Sequence, residues 1–143
     1  MNKFFTLVCM VAMTIGAYAQ QNVPDGLKTA IEHLRYECFN DADPAFECGG
    51  VKIEGQDIVL FGYADESEFE GYTVKEVFEL SGRSEEDWRS EMRKGLFSDS
   101  KKFNIEDTDA IYKYKYNLVL RYIGKQSKQQ VNIKLNYWEL PHK

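Results

Sequence analysis

The sequence is poor in the residues that carry most proton-transfer and metal chemistry. It has two histidines and three cysteines in 143 residues. Histidine is the side chain that most often moves protons near neutral pH, and a structural zinc site needs four ligands, mostly Cys and His, at typical spacings. His33 and His142 stand in neither a CxxC nor an HxxxH context. The sequence therefore predicts no metal site, no bound cofactor and no histidine-based catalytic centre.

Recognisable catalytic motifs are also missing. The chain has no nucleophile elbow, phosphate-binding glycine loop, HExxH segment or dinucleotide fingerprint, and the glycine pair at positions 49 and 50 stands alone. Twenty-three acidic side chains permit carboxylate pairs, but none is marked out by its context. We expect that the protein is not an enzyme. A secreted hydrolase, or an inhibitor of one, stays open as an alternative.

Long apolar runs are confined to the N-terminus. Asn2 and Lys3 precede the uncharged run "FFTLVCMVAMTIG", and Ala17-Tyr18-Ala19 is a small-x-small cleavage site. The run is shorter than the roughly 20 residues that span a bilayer. This pattern predicts a signal peptide over residues 1–19 and no membrane insertion. The mature chain should begin at Gln20 or Gln21 and reach a periplasm or the extracellular space.

Basic residues are outnumbered by acidic ones. The formal net charge is −5, and removal of Lys3 with the signal peptide makes it one unit more negative. An acidic surface repels phosphate backbones, so nucleic acid is not an expected partner. The aromatic fraction of 14% and the three prolines indicate a folded chain. The length of the rest, residues 20–143, predicts a single domain.

The segment "CFNDADPAFEC" holds the two cysteines that remain after signal cleavage, Cys38 and Cys48. In an oxidising compartment such a pair is usually joined, and closing so short a loop stabilises a fold by about 3 kcal/mol. Zinc, calcium and a reactive thiol are less favoured. A calcium loop needs a glycine at its sharp turn, and this segment, with possible ligands at Asn40, Asp41, Asp43 and Glu47, has Pro44 instead.

Two helices and a hairpin are indicated in the first two thirds. Residues 25–39 carry apolar side chains at helical spacing after Pro24, and Ser84 begins the capping box "SEED" of a helix that should run to about Phe97. Residues 51–63 read as two strands around Gly55. For residues 66–80 the pattern is mixed, and we interpret it as a short strand.

The C-terminal third alternates with period two. The run "YKYKYNLVLRY", residues 112–122, predicts a long strand, "GKQSKQ" a turn, and "QVNIKLNYWEL" a second strand. One face of this hairpin is apolar and the other is polar. Adjacent antiparallel strands with one polar face are typical of a sheet covered by helices on one side. The fold class expected is α+β, an antiparallel sheet of four to five strands with two helices packed on one face.

The order of elements resembles small exported bacterial α+β proteins of unknown function. The shared features are a signal peptide, a short helix, a hairpin ending in "ADE", a capped helix, and the terminal hairpin "YKYNLVLRYIGKQSKQQVNIKLNYWEL". The resemblance covers most of the mature chain. It implies one α+β domain and implies no activity.

A binding role is therefore the expected function. On the predicted hairpin the polar face would present a basic and aromatic strip, and Trp and Arg are the residues that most often anchor interfaces. Such a strip suits an acidic ligand or an unknown protein, including a second copy of the chain as a homodimer. The alternative is a structural or envelope-associated domain that pairs through a strand edge. The strip consists of Lys113, Lys115, Arg121, Lys134 and Trp138.

Overall fold

The structure, a computed structural model, describes residues 23–40 and 45–143. The predicted signal peptide and residues 41–44 of the acidic loop lie outside the described residues. Within them the fold is α+β, with four strands, four α-helices and two short 3-10 helices at Glu66–Glu68 and Tyr137–Glu139. In chain order the main elements are α1 Asp25–Phe39, β1 Phe46–Glu54, β2 Asp57–Ala64, α2 Val74–Leu80, α3 Glu85–Phe97, α4 Ile105–Lys113, β3 Asn117–Gly124 and β4 Gln130–Leu135.

The sheet is mixed, and the prediction of a wholly antiparallel sheet is wrong in this respect. The strand order is β1-β2-β3-β4. The pairs β1·β2 and β3·β4 are antiparallel hairpins as expected, but β2 and β3 run parallel, with Ile58 opposite Leu118. A parallel pair requires a long crossover connection. Here the crossover contains α2, α3 and α4.

Helix α1 has the predicted limits and the predicted buried face. Leu27, Ala30, Ile31, Leu34 and Cys38 are its buried residues. The first four of these pack in one core with Val51, Ile58, Leu60, Leu118, Ile133 and Leu135 from the sheet. These strand residues occupy alternate positions along each strand, so they share one face of the sheet, and that face carries the helices.

Residues 66–80 contain the 3-10 helix Glu66–Glu68 and helix α2, which corrects the predicted short strand. Thr73 Oγ1 accepts a hydrogen bond from the backbone N–H of Glu76, and the Glu76 carboxylate accepts one from the N–H of Thr73. This reciprocal capping box satisfies two N–H groups that a helix start otherwise leaves unpaired. Helix α2 therefore starts at Val74, which is buried, in spite of the β-branched residues in the segment.

The long strand predicted over residues 112–122 is wrong in its first half. Asn104 caps α4, its side chain accepting from the N–H groups of Glu106 and Asp107, and the helix continues to Lys113. Lys115 then adopts a positive φ of 58°, which reverses the chain before β3 begins at Asn117. The alternation of tyrosine and lysine has the period of a strand, although these residues form the end of α4 and the turn that follows it. The second predicted strand also ends early, at Leu135.

The helices divide the sheet between them. Helix α1 contacts β1 and β2, whereas α2 and α3 contact β4. Two helices were expected and four lie in the described residues, because the segment of α2 was interpreted as a strand and no helix was predicted ahead of the strand at residues 112–122. The division leaves the middle of the sheet open between α1 and α3.

Candidate functional site

Of the predicted strip, Arg121 and Lys134 lie on the sheet face opposite the helices, on neighbouring strands. Both are ion-paired within the chain. The Arg121 guanidinium donates to both carboxylate oxygens of Glu54, at 2.8 and 2.9 Å, and Lys134 Nζ lies 3.3 Å from Asp57 Oδ1. The hydrogen bond from Arg121 lowers the pKa of Glu54 to about 2, and Glu54 raises the pKa of Arg121.

The other three residues of the strip lie away from the strands. Lys113 is the last residue of α4, and Lys115 occupies the turn that follows. Trp138 belongs to the 3-10 helix after β4 and is 62% exposed, with its ring edge-on to Tyr137. The five residues therefore do not form one strip, and the two that share a face already have acidic partners.

The two cysteines, in contrast, are brought together. Cys38 ends the buried stripe of α1, Cys48 lies in β1, and their Cα atoms are 5.6 Å apart at disulfide-bonding distance. A bond here fastens the C-terminal end of α1 to the first strand. It lies beside the open part of the sheet, because Cys38 also lines the cleft described next.

A cleft of about 500 Å³ occupies the gap between α1 and α3. This volume is in the range of sites for small ligands. The floor is apolar and consists of side chains from the middle of the sheet and from α3. The floor residues are Leu60, Leu120, Ile133, Met92 and Leu96.

Aromatic rings form one wall of the cleft. The Phe46 ring centroid lies 5.1 Å from that of Tyr122, Tyr122 lies 5.2 Å from Phe78, and Phe78 lies 4.5 Å from Trp88. Phe46, Tyr122 and Trp88 face the cleft, with Phe78 behind them. The four rings form a continuous chain of contacts from β1 across the sheet to α3.

Charged side chains surround the mouth. Glu37, Glu91 and Asp99 provide carboxylates, and Arg83 and Lys101 provide cations. Glu37 accepts backbone hydrogen bonds from Lys102 and Phe103, at 2.5 and 3.3 Å, so it also fixes the loop after α3 at the rim. An apolar floor with a few polar groups at the edge is the usual composition of a ligand site.

Gly95 lies in the last turn of α3 and also lines the cleft. A Cβ added there would meet no atom within 4 Å. Glycine inside a helix costs about 1 kcal/mol relative to alanine, and neither close packing nor a positive φ requires one at this position. Gly95 is exposed, so this edge of the cleft carries no side chain. This glycine within an amphipathic helix was the one sign of the cleft in the sequence.

His33, which stands in no metal-ligand spacing in the sequence, has a buried acidic partner. Its Nδ1 atom lies 2.8 Å from Oδ2 of Asp107, which is 4% exposed. Asp107 also accepts from the N–H of Asn104 at the start of α4. The pair therefore joins α1 to the capped end of α4.

Two further kinds of feature are absent from the described residues, a metal-ligand cluster and a membrane-spanning helix. In residues 23–40 and 45–143, no three His, Cys, Asp or Glu side chains are grouped as a metal ion requires. No helix in the same residues has the length and apolar character needed to cross a bilayer.

Comparison of the chain with protein-family models, curated proteins and solved structures finds no match. The resemblance to small exported α+β proteins therefore stays a prediction. The cleft is assigned from its own geometry alone.

Proposed function

We propose that the protein is an exported, non-catalytic binding domain that takes its ligand in the cleft between α1 and α3. The observation that carries this proposal is the apolar and aromatic cleft with Gly95 at its edge, a glycine that costs helix stability and that neither packing nor a positive φ requires. The cleft replaces the strip on the terminal hairpin as the preferred site. Arg121 and Lys134 are less suited to an acidic ligand because Glu54 and Asp57 already neutralise them.

The ligand should be compact and partly aromatic. Leu60, Leu120 and Ile133 offer apolar contact, and the rings of Phe46, Tyr122 and Trp88 offer edge and face contacts. Binding in such a site is driven mainly by removal of apolar surface from water.

The test is binding of an uncharged apolar dye, N-phenyl-1-naphthylamine, to the full mature chain. We expect its emission to rise on titration and this rise to be lost in Gly95→Leu, whose side chain should obstruct the edge of the cleft. Gly95→Ala is the matched control, because its methyl group has space and favours the helix. Equal dye binding by Gly95→Leu and the parent chain would remove the cleft as the site.

A second candidate is docking of a protein partner, or of a second copy, on the sheet face that carries Arg121 and Lys134. It is favoured by the aromatic side chains there: Tyr63 is 37% exposed, and its ring lies edge-on to Phe61. Sedimentation of the mature chain and of Tyr63→Ser tests the homodimer. A concentration-dependent dimer that Tyr63→Ser abolishes would favour this face over the cleft.

A further inference from the structure

Arg83 occupies one end of the cleft in a specific way. Its guanidinium carbon lies 4.7 Å from the centre of the Trp88 ring, the geometry of a cation–π contact. Its Nη2 atom donates to Glu91 Oε1 at 3.2 Å. All three residues line the cleft. One turn of α3 thus presents an aromatic face and a carboxylate that together hold a guanidinium.

The side chain of Arg83 is held less firmly than that of Trp88, which it contacts. Arg83 lies in the short connection between α2 and α3, directly after Gly82, whose φ is +70°. Its side chain is 43% exposed. An exposed ion pair and an exposed cation–π contact are each weak. Trp88, in contrast, is fixed by its tilted contact with Phe78. The site is therefore preformed, whereas its occupant is replaceable.

The excess of carboxylates at the mouth of the cleft favours binding of a cationic ligand. Glu91, Glu37 and Asp99 outnumber Arg83 and Lys101 among the lining residues. When Arg83 moves away, the Glu91 carboxylate and the Trp88 ring face are both released to a new partner. Displacement of Arg83 by a second cation then leaves no buried charge unpaired.

We propose that Trp88 and Glu91 form a cation-recognition site that Arg83 occupies in the unliganded protein. The ligand class is a molecule with a guanidinium group and an aromatic or apolar body, which would lie on the floor of the cleft. Arg83 acts as an internal competitor that lowers the apparent affinity for this ligand. This inference rests on the proposed function, since it assigns the ligand chemistry of the same cleft.

The experiment compares two probes that differ only in charge, benzoyl-arginine amide and its neutral analogue benzoyl-citrulline amide. Trp88 fluorescence reports binding in a Trp138→Phe background, in which Trp88 is the remaining tryptophan. We expect the arginine probe to bind at least about fivefold more tightly than the citrulline probe. Arg83→Ala should tighten the arginine probe by about three- to tenfold, because the competitor is removed. Glu91→Gln should abolish the preference for charge.

Two control variants remove one positive and one negative charge, as Arg83→Ala and Glu91→Gln do, but at positions outside the cleft. Lys75→Ala and Glu85→Gln lie in helices outside the cleft lining and should leave both affinities unchanged. The peptide acetyl-Ala-Arg-Ala-amide tests whether the guanidinium of the ligand belongs to a peptide or to a small molecule. If the peptide binds more tightly than the benzoyl-arginine probe, the ligand is an arginine side chain of a peptide. If it binds more weakly, the ligand is a small molecule.

The outcomes separate this inference from the proposed function. If the arginine and citrulline probes bind with equal affinity, and if Gly95→Leu loses binding of the dye and of both probes, the cleft is a binding site but the proposed cation-recognition site is wrong. If Arg83→Ala weakens the arginine probe, Arg83 is not a competitor and the inference is overturned. If neither the dye nor any probe binds, both proposals fall.

Discussion

Ser127 donates two hydrogen bonds to the carboxylate of Glu66, one from its backbone N–H and one from its hydroxyl, each at 2.7 Å. The same carboxylate accepts from the backbone of Val74 and Gln126, at 2.7 and 3.1 Å. Glu66 is 6% exposed. Burial opposes ionisation of this group, but the hydrogen bonds from Ser127, Val74 and Gln126 outweigh it and lower the pKa of Glu66. The carboxylate thus fastens the β3–β4 turn to the start of α2.

We expect Glu66→Ala to destabilise the protein by about 2 kcal/mol, or a fall in Tm of roughly 8 °C, because it leaves buried N–H donors unpaired. Gly124→Ala should act in the same direction, since a Cβ at this position would overlap the Glu66 carboxylate. Thermal unfolding followed by circular dichroism measures both. Glu68→Ala, an exposed glutamate in the same 3-10 helix, is the control and should change Tm by no more than about 2 °C. Equal effects at positions 66 and 68 would contradict this role for Glu66.

The cysteine pair should be oxidised in the exported protein. Alkylation without reductant should then leave the mass unchanged, and reduction should expose two reactive thiols. Cys38→Ser with Cys48→Ser should lower Tm by roughly 10 °C, because the loop closure of about 3 kcal/mol is lost. The parent chain measured in reductant should match this double variant. Labelling of both cysteines in the untreated protein would show that the pair is not bonded.

The Glu54–Arg121 ion pair should make stability depend on pH in acid. The pKa of Glu54 is about 2 in the folded chain, against 4.5 for the free side chain. A depressed pKa contributes stability that is complete above about pH 4.5 and is lost as the pH falls towards 2. The Glu54 side chain is 42% exposed, so screening by solvent should keep the contribution below about 1 kcal/mol.

Urea unfolding at pH values between 2 and 6 tests this contribution. The difference in unfolding free energy between the parent chain and Glu54→Gln should shrink as the pH falls through this window. Glu79→Gln, an exposed glutamate of α2, serves as the reference for loss of a carboxylate. A difference that stays constant from pH 6 to pH 2 would mean that the Arg121 contact does not stabilise the charged form of Glu54.

Export is predicted from the N-terminal sequence. The mass of the protein recovered from the periplasm or the medium should correspond to a chain that begins at Gln20 or Gln21. A chain that starts at residue 20 from the outset should stay in the cytoplasm. Recovery of the full-length form outside the cytoplasm would rule out cleavage at Ala19.

Local signals in the sequence predicted the elements whose causes are local. The apolar spacing in residues 25–39 and the capping box at Ser84 gave α1 and α3, and Gly55, which adopts φ +58°, gave the first hairpin turn. The capping boxes at Thr73 and Asn104 are equally local. The β-branched residues after Thr73 outweighed its capping box, so the segment of α2 was interpreted as a strand, and the tyrosine and lysine alternation extended the predicted third strand back into the end of α4.

The sequence by itself determined the helices α1 and α3, the two hairpins, the acidic balance and the closeness of Cys38 to Cys48, because each depends on composition or on residue spacing along a short segment. Only the tertiary structure decided that β2 and β3 run parallel, because alternation of side chains is the same in both strand directions. It also decided that Arg121 meets Glu54, 67 positions away. The cleft depends on the same level of structure: it is the space that remains when α1 and α3 cover different halves of one sheet.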